Sequence, residues 1–219
     1  MNLPIARYLD QVATWPSVGR HILAHFDADT IVVYQAYRRS ISEYAIRHHQ
    51  FGGDFSYARM SWIKPNFLWM MYRSGWGTKE GQETTLGLRL RRQFFDSILA
   101  QAVASSLTQS DQASREAWKA SLASSNVRLQ WDPDHDPFGS AVTRRAIQLG
   151  LRGPLLEDLG KRELLEVIDM TAFMSEQREL MSRVGIGELR TPVERLYVPD
   201  DVAIARRLKL DGMPGPPSG

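Results

Sequence analysis

The stretch from Gly52 to Gln82 concentrates residues able to grip a planar, charged ligand. It reads GGDFSYARMSWIKPNFLWMMYRSGWGTKEGQ and holds three of the six tryptophans, at 62, 69 and 76, with Phe55, Tyr57, Phe67 and Tyr72. Arg59, Lys64, Arg73 and Lys79 are set among these rings, against only Asp54 and Glu80. Rings interleaved with cations suit a base or a nicotinamide stacked on an aromatic face while ammonium and guanidinium groups meet phosphates. Asn66 adds an amide for a base edge. A helix over 65–73 would put Asn66, Trp69, Met70 and Arg73 on one face and Phe67, Leu68 and Met71 on another. Phe67, Leu68 and Met71 are expected in the core. Lys64, Asn66, Tyr72, Arg73 and Lys79 are the candidate ligand-binding set. Lys79-Glu80-Gly81 resembles a nucleotidyltransferase lysine motif, but its glycine falls one residue too early.

A second polar run is Trp131-Asp132-Pro133-Asp134-His135-Asp136-Pro137-Phe138-Gly139. Its alternating aspartates suggest a calcium loop, yet the glycine at the sixth position and the distal glutamate are missing. It reads instead as a rigid polar loop, with Asp134 as a candidate catalytic acid. No metal site is assigned. His21 and His25 would share a helix face, but no glutamate follows His21, so the metalloprotease pattern fails. No serine sits in a Gly-x-Ser-x-Gly setting, which leaves a serine hydrolase unsupported. Tyr37 and Arg38 close a strong strand, a common place for functional side chains, and Arg38 can meet a phosphate.

These groups need a scaffold, and the rest of the chain supplies one. Hydrophobic residues make up 43% and charged residues 24% of 219 residues, enough for one large folded unit. Thr30 to Tyr37 is β-branched and aromatic and reads as a buried strand. Further strands are expected at 55–62, 84–90, 126–131, 144–149, 164–170 and 195–198. Helices are expected at 5–14, 40–50, 65–73, 94–105, 114–124 and 172–183. Strands and helices are mixed without a βαβ rhythm, and no glycine-rich turn follows the first strong strand, so a doubly wound nucleotide fold is disfavoured. The expected fold is α+β: a single domain over 1–210 with a mostly antiparallel or split β-sheet flanked by helices. Residues 211–219, rich in proline and glycine, read as a disordered tail.

Composition limits the partners. Net charge is +2, too small for a general nucleic-acid coat. Of 27 cations, 22 are arginine, whose planar fork suits phosphate. Cysteine is absent, so disulfides and thiolate chemistry are excluded. No run of apolar residues is long enough for a membrane span, and the start of the chain lacks a secretory pattern. A cytoplasmic location is the simplest expectation.

Four runs carry a family likeness. They are Arg20 to Leu23, Ile31 to Arg38, Arg59 to Trp76 and Gln130 to Pro137. Together they resemble the domain-of-unknown-function 4291 family over about residues 5–200. In layout the chain is also similar to ADP-ribosyltransferase-like domains, which grip NAD with a split sheet. That similarity implies roles for Arg38, for Tyr57 or Tyr72, and for Gln130, although the usual catalytic glutamate is not evident. The expectation is a nucleotide-binding enzyme acting on NAD by ADP-ribosyl transfer or glycohydrolysis, with a nucleic acid or a small molecule as acceptor. Catalysis would fall to Arg38, Gln130 and Asp134, and binding to Tyr37, Lys64, Asn66, Tyr72, Arg73 and Lys79. The alternative is a single-strand nucleic-acid binding module without catalysis.

Overall fold

A computed structural model describes residues 3–110 and 112–212. The chain begins with a short strand, β1 (Ile5–Arg7), and a helix, α1 (Tyr8–Val12). A helix was expected over the whole of 5–14. Its first residues instead pair with a late strand, Ile5 opposite Pro192, and that pairing overrides local helix preference. Next come β2 (Gly19–Arg20), β3 (Ile22–Phe26), β4 (Thr30–Tyr37) and α2 (Arg39–His48). His25 therefore sits on a strand, and the shared helix face with His21 does not exist.

The middle of the chain holds β5 (Ser61–Ile63), α3 (Phe67–Ser74), β6 (Thr84–Arg91), α4 (Arg92–Gln101), β7 (Val103–Ala104) and α5 (Arg115–Ser124). Only the end of the expected 55–62 strand forms. Residues 51–60 are pinned by side chains: Tyr57 donates to the Phe51 carbonyl, and Phe51 and Phe55 stack at 4.5 Å. The long hairpin β8 (Val127–His135) and β9 (Ala141–Leu151) follows. β8 runs four residues past its expected end and passes through Pro133. Its outer edge is covered by β7 only at Arg128 and Leu129, so a proline beyond them breaks no ladder. The chain then forms α6 (Gly153–Asp158), β10 (Leu164–Asp169), α7 (Thr171–Val184), β11 (Arg190–Pro192), β12 (Arg195–Tyr197) and α8 (Val202–Arg207).

Among the described residues the strands make two five-stranded sheets and one small pair. One sheet has the order β10-β6-β4-β3-β12 and is antiparallel throughout. The other has the order β2-β9-β8-β7, with β5 added on β9. This is the α+β, split-sheet arrangement expected. β4 is covered on both faces: Ile31 and Val33 belong to one apolar cluster, Val32 and Tyr34 to another. Such a strand needs a continuous apolar run rather than alternation. Of the expected tail, Asp211 is held in the fold, its carboxylate accepting from the Arg20 amide at 2.7 Å. Residues 213–219 lie outside the described residues.

No helix among the described residues is long and apolar enough to cross a membrane.

Candidate functional site

The two sheets share an apolar core, and residues 61–64 join them through main-chain pairing. Ser61 to Ile63 pair with Leu151 to Leu149 of β9, and the next residue, Lys64, bridges to Tyr34 of β4. Lys64 and Tyr34 exchange both main-chain hydrogen bonds, at 2.7 and 3.1 Å. The bridge is possible because β3 leaves the edge of β4 after Val32. Gln35 then fills the ladder with its side chain. Its amide donates to Ser61 Oγ at 2.8 Å and to the Trp62 carbonyl at 3.1 Å. Gly150 permits the close approach of this segment: a Cβ there would stand 2.7 Å from Met60 Sδ and 2.9 Å from the Trp62 ring.

A cleft of about 560 Å³ opens beside this seam. β4 contributes Gln35, Ala36 and Tyr37, and the β5 segment contributes Ser61, Trp62 and Lys64. Met70 and Arg73 come from α3, Gln130 and Gln148 from the β8–β9 hairpin, and Arg59, Met60 and Gln82 from loops. Three cations and four glutamines line the cleft, with no carboxylate among them.

Lys64 is the unusual group. It is 4% exposed, and among the described residues its ammonium has no hydrogen-bond partner; Nζ lies 5.6 Å from the centre of the Trp69 ring. Burial, helped by the charge of Arg73 and opposed by Asp132, pulls its pKa down from 10.5 to about 8. Arg59 and Arg73 also have no side-chain ion pair or hydrogen bond among the described residues. Asp132 stands behind the wall. Gln148 Nε2 donates to it at 2.7 Å and to Gln130 Oε1 at 3.1 Å. Burial raises the Asp132 carboxyl, while Gln148 and Lys64 pull it the other way. On the opposite wall Tyr37 Oη and Ser61 Oγ are 2.6 Å apart. Burial pushes the Tyr37 phenol well above its ordinary value, so it stays protonated at neutral pH.

Of the residues expected at a site, the cleft gathers Tyr37, Lys64, Arg73 and Gln130. Arg38 lies just outside, paired with Asp54 at 3.3 Å. The others are placed elsewhere. Asn66 caps α3, its oxygen accepting from the Trp69 amide at 2.7 Å, and the helix begins after it rather than at Pro65. Tyr72 stacks on His135 with ring centres 3.4 Å apart. Lys79 donates to the Arg73 carbonyl. Asp134 is buried against Arg144, whose Nη2 is 2.6 Å away. The expected polar face of α3 is largely core, with Trp69 and Met70 both buried.

Ser61, Gln82 and Gln148 escape the sequence reading. A buried polar residue inside the apolar run Thr30–Tyr37 was the available signal for Gln35. Gln148 is visible only once the hairpin register sets it opposite Gln130. Among the described residues no group of three or more histidines, aspartates or glutamates is placed to hold a metal ion.

Taken together, two sheets joined along a seam and a cleft lined by Arg59, Lys64 and Arg73 beside it define an α+β protein with a cationic cleft. A family model described as "Domain of unknown function (DUF4291)" matches residues 21–197, and the chain belongs to that family. No curated protein matches it.

Proposed function

We propose that the cleft binds NAD or a related nucleotide and that the protein transfers or cleaves its ADP-ribosyl group. The observation that carries this reading is the charge of the lining among the described residues: three cations, no carboxylate, and a largely buried lysine, Lys64, whose ammonium has no hydrogen-bond partner there. Burying a cation is unfavourable unless an anion meets it, and a pyrophosphate supplies that anion. Four glutamines, each offering donors and an acceptor, match a carboxamide or a base edge. In the reaction the bond from ribose C1′ to the nicotinamide nitrogen breaks, and both electrons leave with nicotinamide. A lone pair of water, or of an acceptor oxygen, closes on C1′ and the displaced proton passes to solvent. Gln130, whose amide oxygen accepts one hydrogen bond from Gln148, keeps a second lone pair to face the developing positive charge. A cytoplasmic location belongs to the same proposal.

The alternative, a nucleic-acid stacking surface, has less behind it. Phe67, Trp69 and Trp76 are buried, so the aromatic stretch presents no row of open rings. The test is incubation of purified protein with NAD while free nicotinamide is followed by chromatography. Release that disappears in Lys64→Gln is the expected result. Absence of release together with absence of any thermal shift by NAD overturns the reading.

A further inference from the structure

A second hollow of about 380 Å³ opens off the first. The two share Tyr37, Arg59, Met60 and Ser61, and the second continues along Arg38, Ile41, Asp54, Phe55, Ser56 and Gly81. We propose that this second chamber holds the acceptor of the transfer reaction, and that the acceptor is a compound carrying a phosphate beside a free hydroxyl. The inference rests on the nucleotide reading of the first chamber.

Three features point the same way. Arg59 lines both chambers and has no side-chain partner among the described residues, so it stands free to face an anion in either one. Arg38 at the far end is held, among the described residues, only by Asp54, and both side chains are more than half exposed. An exposed pair of that kind is worth little, so a phosphate can take the guanidinium from it at small cost. Asp54 would keep its other partner, since Ser40 Oγ donates to it at 2.8 Å.

The shared wall carries the hydroxyl pair Tyr37–Ser61 at the place where the two substrates would meet. Ser61 Oγ accepts from Gln35. If Tyr37 also donates to it, the Ser61 proton is left to point into the cleft. Ser61 is then a positioning group for the acceptor rather than its base. The acceptor hydroxyl would give its lone pair to C1′, nicotinamide would leave with the electrons of the broken bond, and the hydroxyl proton would go to solvent.

The test separates the two chambers by using a ligand that cannot react. Wild-type protein is saturated with ADP-ribose and then titrated calorimetrically with three probes: ribose 5-phosphate, a 5′-phosphorylated dinucleotide, and the same dinucleotide without the phosphate. Phosphorylated probes are expected to bind one to one, and the unphosphorylated dinucleotide about tenfold more weakly, the loss of one charge-assisted contact. Equal binding of both phosphorylated probes marks a small phosphate ester as the acceptor, whereas binding of the dinucleotide alone marks a nucleic-acid end. Arg38→Gln should weaken probe binding by a similar factor and leave ADP-ribose affinity unchanged. Circular dichroism confirms that the variant folds. If ADP-ribose binds but the probes do not, or if they displace it, the second chamber is refuted while the nucleotide reading stands. If ADP-ribose itself fails to bind, both fall together.

Discussion

Lys64 costs the fold stability and is kept in the cleft all the same. Its side chain is 4% exposed, it lines the cleft, and among the described residues its ammonium has no hydrogen-bond partner, a placement that disfavours the charged form. Its pKa is lowered from 10.5 to about 8, so the unfolded chain holds this proton more tightly than the folded one. Across that window stability therefore rises with pH, and the penalty is fully present below it. Lys64→Met removes the buried charge and keeps the stem. We expect it to be more stable at neutral pH by about 1–3 kcal/mol in urea denaturation, and to lose the slope. The same variant should lose nucleotide binding. In the wild type, anion affinity should fall several-fold as pH rises through about 8, because the ammonium is then discharged; titration calorimetry at a series of pH values reads this directly. A variant gaining stability and losing binding marks a residue retained for its site.

At the level of elements, the fold was more legible than the site. The strand at 30–37 and the helix near 114–124 follow from local pattern, since an apolar run and a good N-cap need no distant partner. Ser114 caps its helix by accepting from the Ala117 amide. The misjudged segments are those whose structure comes from a partner far along the chain. Ile5 to Arg7 are strand only because residues 190–192 lie beside them. Asn66 shows the same limit for function. Its type and place in the aromatic stretch suggest ligand contact, but its oxygen is occupied by the Trp69 amide. Asn66→Ala should cost about 1 kcal/mol of stability through the lost cap. It should leave nucleotide affinity nearly unchanged, and a large loss of affinity at full stability would show that the cap is not its main role. Lys64, Arg73, Tyr37 and Gln130 were legible as chemistry. Their convergence was not, because it depends on β3 leaving β4 early and on a short bridge that no local signal announces.

Across the whole molecule, the C-terminal segment closes the structure onto its beginning and middle. Gln11 donates to Thr191 Oγ1 at 2.8 Å and accepts from the Glu194 amide at 2.9 Å. Glu194 in turn accepts from the Phe67 amide at 2.7 Å, at the start of α3. This carboxyl is buried, and burial raises its pKa well above 4.5 despite the Phe67 hydrogen bond. The folded state therefore binds its proton more tightly, so this group's contribution to stability declines as pH rises above 4.5 toward the raised value. Glu194→Gln keeps a carbonyl acceptor for Phe67 and cannot ionise. Comparing denaturant midpoints at about pH 5 and about pH 8 should show a smaller pH dependence in the variant than in the wild type, and identical slopes would refute the assignment.

The seam at residues 61–64 has a mechanical consequence. Each sheet grips one end of the segment, and the cleft walls come from both sheets: Gln35 and Tyr37 from one, Gln130 and Gln148 from the other. A ligand filling the cleft would act as a clasp, adding a polar tie between two sheets that share one apolar core but are joined through main-chain pairing at residues 61–64. A ligand at about 100 times its Kd adds about 2.7 kcal/mol of stability, which in a chain of this size raises Tm by roughly 5–10 °C. Such a clasp should also slow amide exchange on both sides of the seam at once, at Tyr34 and at Leu149, although these residues belong to different sheets.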